Sequence, residues 1–316
     1  MPAARTTPLA NFMLTLDGVT CGLFGSCVGG DIAADVIEER VDGSPFAKKH
    51  IGQPKYEDFE LQVGFGMASP VYDWISTTWT AGFARKSGSV TAVDSSMNAL
   101  FEQQFANALL TKTTIPALDA ASKDAGRLAI TLSPESTTTV AGGGKVPSTG
   151  GAQQKPFVLS HFRLELDGLD CSHVTKIDSF TVEVQVDVDP AGIVFPDLRV
   201  TMAADGAAAA TWQSWFTDFV IDGRNEDGLE KSGAIVFLAP DLQGEIARVT
   251  LHNVGISALR RVPVGAGDAL RHLAADLYCE RMELTVGTAP PVPPLKIPTP
   301  TKLPLPPGRI VGGIPR

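Results

Sequence analysis

The side chains best suited to catalysis are scattered along this sequence and form no familiar motif. No two of the five histidines stand at i, i+4 spacing, and no acidic residue stands at metal-ligand spacing from any of them. A zinc or catalytic site therefore has little support. Gly142–Lys145 resembles a phosphate loop, but a valine follows the lysine where a magnesium-binding hydroxyl is needed. Asp222–Glu230 is rich in carboxylates, yet its spacing does not fit an EF-hand calcium loop. We therefore expect no metal, no cofactor and no enzymatic activity.

Two carboxylates leave one catalytic alternative open. Asp222 and Asp227 lie close enough in sequence to serve as the acid and base of a hydrolase.

The four cysteines include no CxxC pair, and Cys21 and Cys171 occupy equivalent places in two repeated segments. That arrangement is typical of small buried side chains in a reducing compartment, and it does not suggest a disulfide framework.

The repeated segments define the organisation of the chain. Three segments of the first half recur in the same order in the second half. The pairs are Phe12–Cys21 with Phe162–Cys171, Lys86–Val90 with Lys231–Ile235, and Ile115–Val140 with Val262–Val286. The period, near 146 residues, is far longer than a solenoid unit, so we expect a tandem duplication of a whole domain with its own core.

Within each copy the hydrophobic period is mostly two, which indicates β-strands. Residues 12–16 alternate and are followed by Asp17-Gly18, a tight hairpin turn that the second copy repeats. Residues 180–188 alternate without a fault and place Val182, Val184 and Val186 on one dry face. The spacing changes to that of a helix at residues 71–79, 97–110 and 207–219. The predicted fold is mainly β, with one or two helices per domain, as a β-barrel or sandwich.

Composition suggests where the domains begin and end. We predict a flexible arm at residues 1–11, a first domain at 12–141, a Gly- and Pro-rich linker at 142–156, a second domain at 157–287, and a Pro-rich extended tail at 288–316. Between its prolines the tail carries apolar residues that could dock in a groove on a partner. They are Leu295, Ile297, Leu303 and Leu305.

One long loop distinguishes the first copy. Residues 41–56 carry a basic patch, whereas the corresponding loop of the second copy spans only residues 189–197. A charged loop of this length is suited to reach an acidic neighbour in an oligomer. The candidate contact residues are Lys48, Lys49, His50, Lys55 and Tyr56.

The distribution of charge limits the possible partners. The net charge is −9, and all 35 acidic residues lie between Asp17 and Glu283. Because acidic domains repel phosphate backbones, we expect no nucleic-acid binding by the folded domains. No stretch approaches the roughly 18 apolar residues that span a bilayer, so we also expect no membrane insertion.

Several of these segments together resemble a known family. The order of Phe12–Val19, Gly29-Gly30, Lys55-Tyr56, Trp74-Ile75 and Arg85–Val90 is similar to that in the inner-tube (tail-tube) proteins of contractile phage tails and bacterial contractile injection systems. The second copy resembles the C-terminal half of the same family, and together the copies cover about residues 11–140 and 160–287. The resemblance implies two tandem tail-tube-like domains whose sheets meet those of neighbours edge to edge around a hollow tube, with the long loop contacting adjacent rings.

The function that this resemblance implies is structural. We expect a ring of the inner tube, or a tube-end or baseplate adaptor, in which three two-domain chains form a pseudo-hexamer, although a hexamer of chains is possible. Its partners would be tube, sheath or baseplate proteins, and DNA or effector cargo would pass through the lumen without specific binding. Assembly in the bacterial cytoplasm into a virion tail or injection particle is expected. The alternative is a β-rich binding module, lectin-like or receptor-binding, on a virion or cell surface.

Overall fold

The computed structural model describes residues 9–40, 42, 45–146, 157–186, 191–204, 206–262 and 272–287. In the first half, one α-helix, α1 (Ser69–Trp79), accompanies a series of strands. These strands are β1 (Leu9–Leu16), β2 (Val19–Phe24), β3 (Ser26–Gly29), β4 (Ile32–Arg40), β5 (Ala47–Tyr56), β6 (Phe59–Val63), β7 (Lys86–Asp94), β8 (Ala99–Ile115), β9 (Leu118–Asp119), β10 (Ala125–Gly126), β11 (Leu128–Ser133) and β12 (Ser136–Ala141).

The second half also combines one α-helix with a series of strands. Its α-helix, α2 (Gly206–Phe216), continues into a π-helical turn at Thr217–Ile221, and a 3₁₀ turn follows at Asp227–Leu229. Its strands are β13 (Phe157–Val158), β14 (Phe162–Leu166), β15 (Val174–Ile177), β16 (Phe180–Gln185), β17 (Gly192–Val194), β18 (Leu198–Ala203), β19 (Lys231–Leu238), β20 (Glu245–Val262) and β21 (His272–Val286). The predicted fold class, mainly β with few helices, is confirmed.

Both halves build an antiparallel sheet with one strand order. In the first half the order is β1-β7-β8-β11-β6-β3, with β2 added beyond β1. In the second half it is β14-β19-β20-β21-β18-β15. Six strands of the first sheet therefore have counterparts at the same places in the second sheet, whereas β2 and β12 have none among the described strands.

The long central strands β8 and β20 also share their irregularities. The β7–β8 ladder shifts register just before Gly88, and the β19–β20 ladder shifts just before Gly233. Near these shifts Asn107 and Asn253 adopt left-handed φ angles of 49° and 54°. Asparagine is among the few residues besides glycine that tolerate this conformation, so the same residue type serves the same bulge in both halves.

A second shared bulge lies further along both central strands. In the ladder with β11, β8 skips Thr111, and in the ladder with β21, β20 skips Ser257. The Thr111 hydroxyl donates to the carbonyl oxygen of Thr131 at 3.4 Å, and the Ser257 hydroxyl donates to that of Asp276 at 3.1 Å. The structural equivalence between the two strands is thus fixed residue by residue.

The two halves do not keep separate cores, contrary to the expectation from the sequence. One cluster of buried side chains runs from Leu14 in the first half to Leu284 in the second. At the boundary the Phe65 ring lies 4.9 Å from that of Phe157 and 5.0 Å from that of Phe237. Because apolar surface is shared across the boundary, the halves pack as one body in the described residues.

Three further expectations are wrong. Residues 97–110 are not helical, since most of them lie in β8. The hairpin at Asp17-Gly18 forms between β1 and β2, but β14 pairs only with β19 in the described residues, so the second copy lacks its hairpin. β1 begins at Leu9, inside the predicted arm.

Candidate assembly interface

The described residues contain no group of three potential metal ligands among their His, Cys, Asp and Glu side chains. The carboxylate of Asp222 accepts a hydrogen bond from the Arg224 guanidinium at 3.2 Å, and the same guanidinium reaches Asp218 at 3.2 Å. Asp222 is therefore paired with an arginine. No described helix is long and apolar enough to cross a membrane.

The repeated Lys-Ser-Gly and Asp-Gly motifs meet each other in space. Lys86 Nζ donates to the Asp17 carboxylate at 2.9 Å, and Lys231 Nζ donates to the main-chain oxygen of Asp167 at 2.8 Å. The hydrogen bond from Lys86 holds the pKa of Asp17 below its usual range. The two motifs thus fasten β1 to β7 and β14 to β19, which gives their recurrence a structural cause.

The glycine of each motif allows close approach of the strands. A Cβ on Gly88 would overlap the carbonyl oxygen of Thr15, and one on Gly233 would overlap that of Glu165. Both glycines lie directly opposite the ends of the partner strands, at Leu16 and Leu166. A side chain at either position would push the first strand of its domain away from the sheet.

All four cysteines are free thiols. Burial raises the pKa of Cys21 and of Cys171 to about 11 and that of Cys27 to about 12, so these thiols are protonated at neutral pH. Such thiols are poor nucleophiles. Cys21 and Cys279 are buried as the sequence indicated, whereas Cys27 and Cys171 are partly exposed.

The junction between the two halves is itself a strand pair. β16 of the second half pairs antiparallel with the last residues of β8 in the first half, with Thr181 opposite Thr114 and Glu183 opposite Lys112. The two threonine hydroxyls lie 2.8 Å apart, and Lys112 Nζ lies 2.6 Å from a carboxylate oxygen of Glu183. The first sheet therefore continues into a hairpin, β16–β17, supplied by the second half.

Two smaller contacts reinforce this junction. β9 of the first half pairs with β15, and β10 pairs with β13. Phe195, which follows β17, packs edge-on against Trp79 at the end of α1, with ring centroids 6.5 Å apart. Strands from both halves are thus paired with each other at the boundary.

The predicted valine face belongs to this junction. Val182 is 2% exposed and Val184 is 6% exposed, so both lie in the interior as the alternation predicted. Val186, at 51% exposure just beyond β16, does not share that environment. Alternation identified the buried face correctly and overestimated its length by one residue pair.

The long loop of the first half is a β-hairpin. β4 and β5 pair only with each other in the described residues and form a separate two-stranded sheet with exposed or half-exposed side chains. Lys49 contacts Glu38 at 2.7 Å and Lys55 contacts Asp35 at 2.5 Å. The predicted basic residues Lys48, Lys49, His50 and Lys55 all lie on β5, with Tyr56 at its end.

Apolar side chains on this hairpin are unusually exposed. Ile32 is 54% exposed, Val36 55% and Ile51 73%. Singly exposed aliphatic residues are common, whereas several on one hairpin form an apolar patch of the kind found at interaction surfaces. The predicted contact residues were those of the basic patch on β5, whereas the exposed apolar residues of β4 do not alternate regularly and were not predicted.

The tail residues Leu295, Ile297, Leu303 and Leu305 lie outside the described residues, as do residues 147–156 of the predicted linker. The first linker residues belong to the first domain. Val146 is buried against Met13 and Val93, and the amide of Ala99 donates to the oxygen of Gly144 at 3.0 Å.

Comparison with known protein families matches the first half of the chain. Residues 8–138 match the family model described as T4-like virus tail tube protein gp19. The resemblance to tail-tube proteins is thereby confirmed for that part of the chain. No curated protein matches the sequence.

Similar chains also occur among solved structures. A chain of the sheath-tube complex of an extracellular contractile injection system, PVC, in the extended state is 26% identical, with 44% of this chain and 94% of that chain covered and a TM-score of 0.39. A chain of the tube-terminating cap of the anti-feeding prophage is also 26% identical, covering 45% and 95%, with a TM-score of 0.40. A chain of the prophage's six-fold symmetrised baseplate is 13% identical, covering 45% and 98%, with a TM-score of 0.38.

Proposed function

We propose that this protein is a structural component of a phage tail or contractile injection system, and that it forms a ring of the inner tube or an adaptor at the tube end or baseplate. The match of residues 8–138 to the tail-tube family supports the class of protein. The observation that carries the ring is the strand pair between β8 and β16, because it joins two equivalent domains edge to edge within one chain.

A head-to-tail contact between equivalent domains repeats around an axis and closes if the rotation permits. Three chains supply six such domains and would present six similar sites on one side of the ring and a threefold pattern on the other. Such a ring can connect a sixfold tube to a threefold partner. Tube, sheath or baseplate proteins are the proposed partners, and DNA or effector cargo would cross the lumen unbound.

A structural role needs no catalytic group, and Asp222, one of the two candidate catalytic carboxylates, is paired with Arg224 at 3.2 Å. The competing function is a β-rich binding module, lectin-like or receptor-binding, which shares the strands but needs no closed ring. A module of that kind would act as a monomer or through isolated domains.

Negative-stain electron microscopy of the purified full chain separates the two functions. The proposal predicts closed rings of six similar lobes around a central hole. Particles with two lobes and no hole at every concentration examined would contradict it and would favour the binding module.

A further inference from the structure

We infer that the β4–β5 hairpin of one chain pairs with the exposed end of β20 in the next chain, and so repeats between chains the junction seen within each chain. This inference rests on the proposed ring and names the surfaces that would close it. The partner is a second copy of this protein. Its docking surface is the edge of β20 at Gly255–Val262.

β20 matches β8, but the place that β16 occupies beside β8 has no described strand beside β20. One side of β8 is occupied by β7 and, beyond it, by β16. The same side of β20 is occupied by β19 only as far as Val254. Beyond that residue no described strand pairs with this side, while β21 continues along the other side. The edge that receives a hairpin in the first half is therefore unpaired in the second half, as far as the described residues go.

The β4–β5 hairpin matches β16–β17 in its place along the chain, but it pairs with no other described strand. Each hairpin lies between the same two strands of its domain, after β3 or β15 and before β6 or β18. In the first hairpin Ala33 lies opposite Lys55, and in the second Glu183 lies opposite Val194. The distance along the sequence from Lys55 to the start of β6 equals that from Val194 to the start of β18. Ala33 is thus the structural counterpart of Glu183.

The shared bulges fix the counterpart on the receiving strand. Lys112 follows the skipped Thr111, and Ala258 follows the skipped Ser257. The observed pair of Glu183 with Lys112 therefore predicts a pair of Ala33 with Ala258 of the next chain. In the same register Ile32 faces Leu259, which makes an apolar pair.

Charge agrees with this register. Asp31 would lie opposite Arg260, in the place of the touching Thr181 and Thr114. Arg260 is exposed and already contacts Asp276, so a second carboxylate would extend an existing ion pair. Because Asp35, Glu38 and Glu39 make β4 acidic, pairing with β20 of another chain is also favoured over pairing of two β4 strands.

A second open edge supports the same head-to-tail contact. β3 is the last strand of its sheet in the described residues, whereas its counterpart β15 is covered by β9. Val28 on β3 is an exposed apolar residue. Unpaired edges thus occur at β3 and β4 in the first half and at the end of β20 in the second half, as a head-to-tail contact between chains requires.

Cysteine pairs test the register directly. The full chain carrying Ala33→Cys with Ala258→Cys is oxidised with copper phenanthroline and resolved on a non-reducing gel. We expect covalent species of two and three chains that disappear with dithiothreitol. The matched control is Ala34→Cys with Ala258→Cys, whose new side chain points to the opposite face of the strand and should give at least tenfold less product.

Mixing single variants tests the direction of the contact. Equal amounts of Ala33→Cys chains and Ala258→Cys chains should give covalent dimers, and neither variant alone should exceed the wild type. If rings form by electron microscopy but the Ala33 and Ala258 pair crosslinks no more than its control, the inferred junction is wrong while the proposed function stands. If no association occurs at all, both fail.

Discussion

At the scale of single residues, the repeated motifs have mechanical roles. Lys86 and Lys231 tie down the turn at the end of the first strand in each domain, and Gly88 and Gly233 let that strand approach. These pairs were visible in the sequence because the same contact demands the same residue types twice. Their roles were not visible, because only the register shows which residues face each other.

Gly233→Ala should destabilise the protein because its methyl group would overlap the carbonyl oxygen of Glu165. Backbone atoms can yield only by separating β14 from β19, so we expect a loss of about 1–3 kcal/mol in the free energy of unfolding. Gly192→Ala is the matched control, since a Cβ there meets nothing within 4 Å. Urea titration followed by circular dichroism measures both, and equal stabilities for the two variants would show that this close approach is not required.

At the scale of elements, the strands predicted well are those without bulges. Residues 180–184 alternate without interruption, so their buried face follows from the pattern. Residues 97–110, most of which lie in β8, were predicted as a helix because the β8 ladder shifts register near Asn107 and skips Thr111. Each bulge shifts the alternation by one residue, and the resulting three- and four-residue spacings of Phe105, Ala108 and Leu109 resemble a helix.

The β4–β5 hairpin was predicted as a loop over its second strand, for another reason. Its residues are charged on β5 and interrupted by Pro54, a composition that also describes a loop. Its pairing depends on cross-strand contacts such as Lys49 with Glu38, which no local pattern specifies. The open edge of β20 could not be predicted at all, because an unpaired edge is defined by what is missing from its neighbourhood.

Val184→Asp tests the junction formed by β16. Val184 is buried, so the substituted carboxylate would lose its hydration without a partner, and we expect a loss of more than about 3 kcal/mol together with loss of rings. Gln185→Asp, one residue along on the exposed face, is the control. Thermal unfolding and negative-stain imaging of both variants provide the readout. Normal rings from Val184→Asp would mean that the two faces of β16 have been assigned in reverse.

At the scale of the whole molecule, the two domains share one strand order but differ in which strands cover the edges of their sheets. In the first domain the central strand is covered by the second domain's hairpin, and in the second domain the matching edge is open in the described residues. We therefore expect the chain to associate head to tail through its unpaired edges. Burying exposed apolar residues such as Ile32 and Val36 would favour that association.

Mass photometry of the purified full chain measures the central claim most directly, because it counts chains per particle without labels. The account predicts a dominant species of three chains of 33.3 kDa, about 100 kDa, that persists on dilution into the nanomolar range. A single species at the mass of one chain, at every concentration up to micromolar, would contradict it.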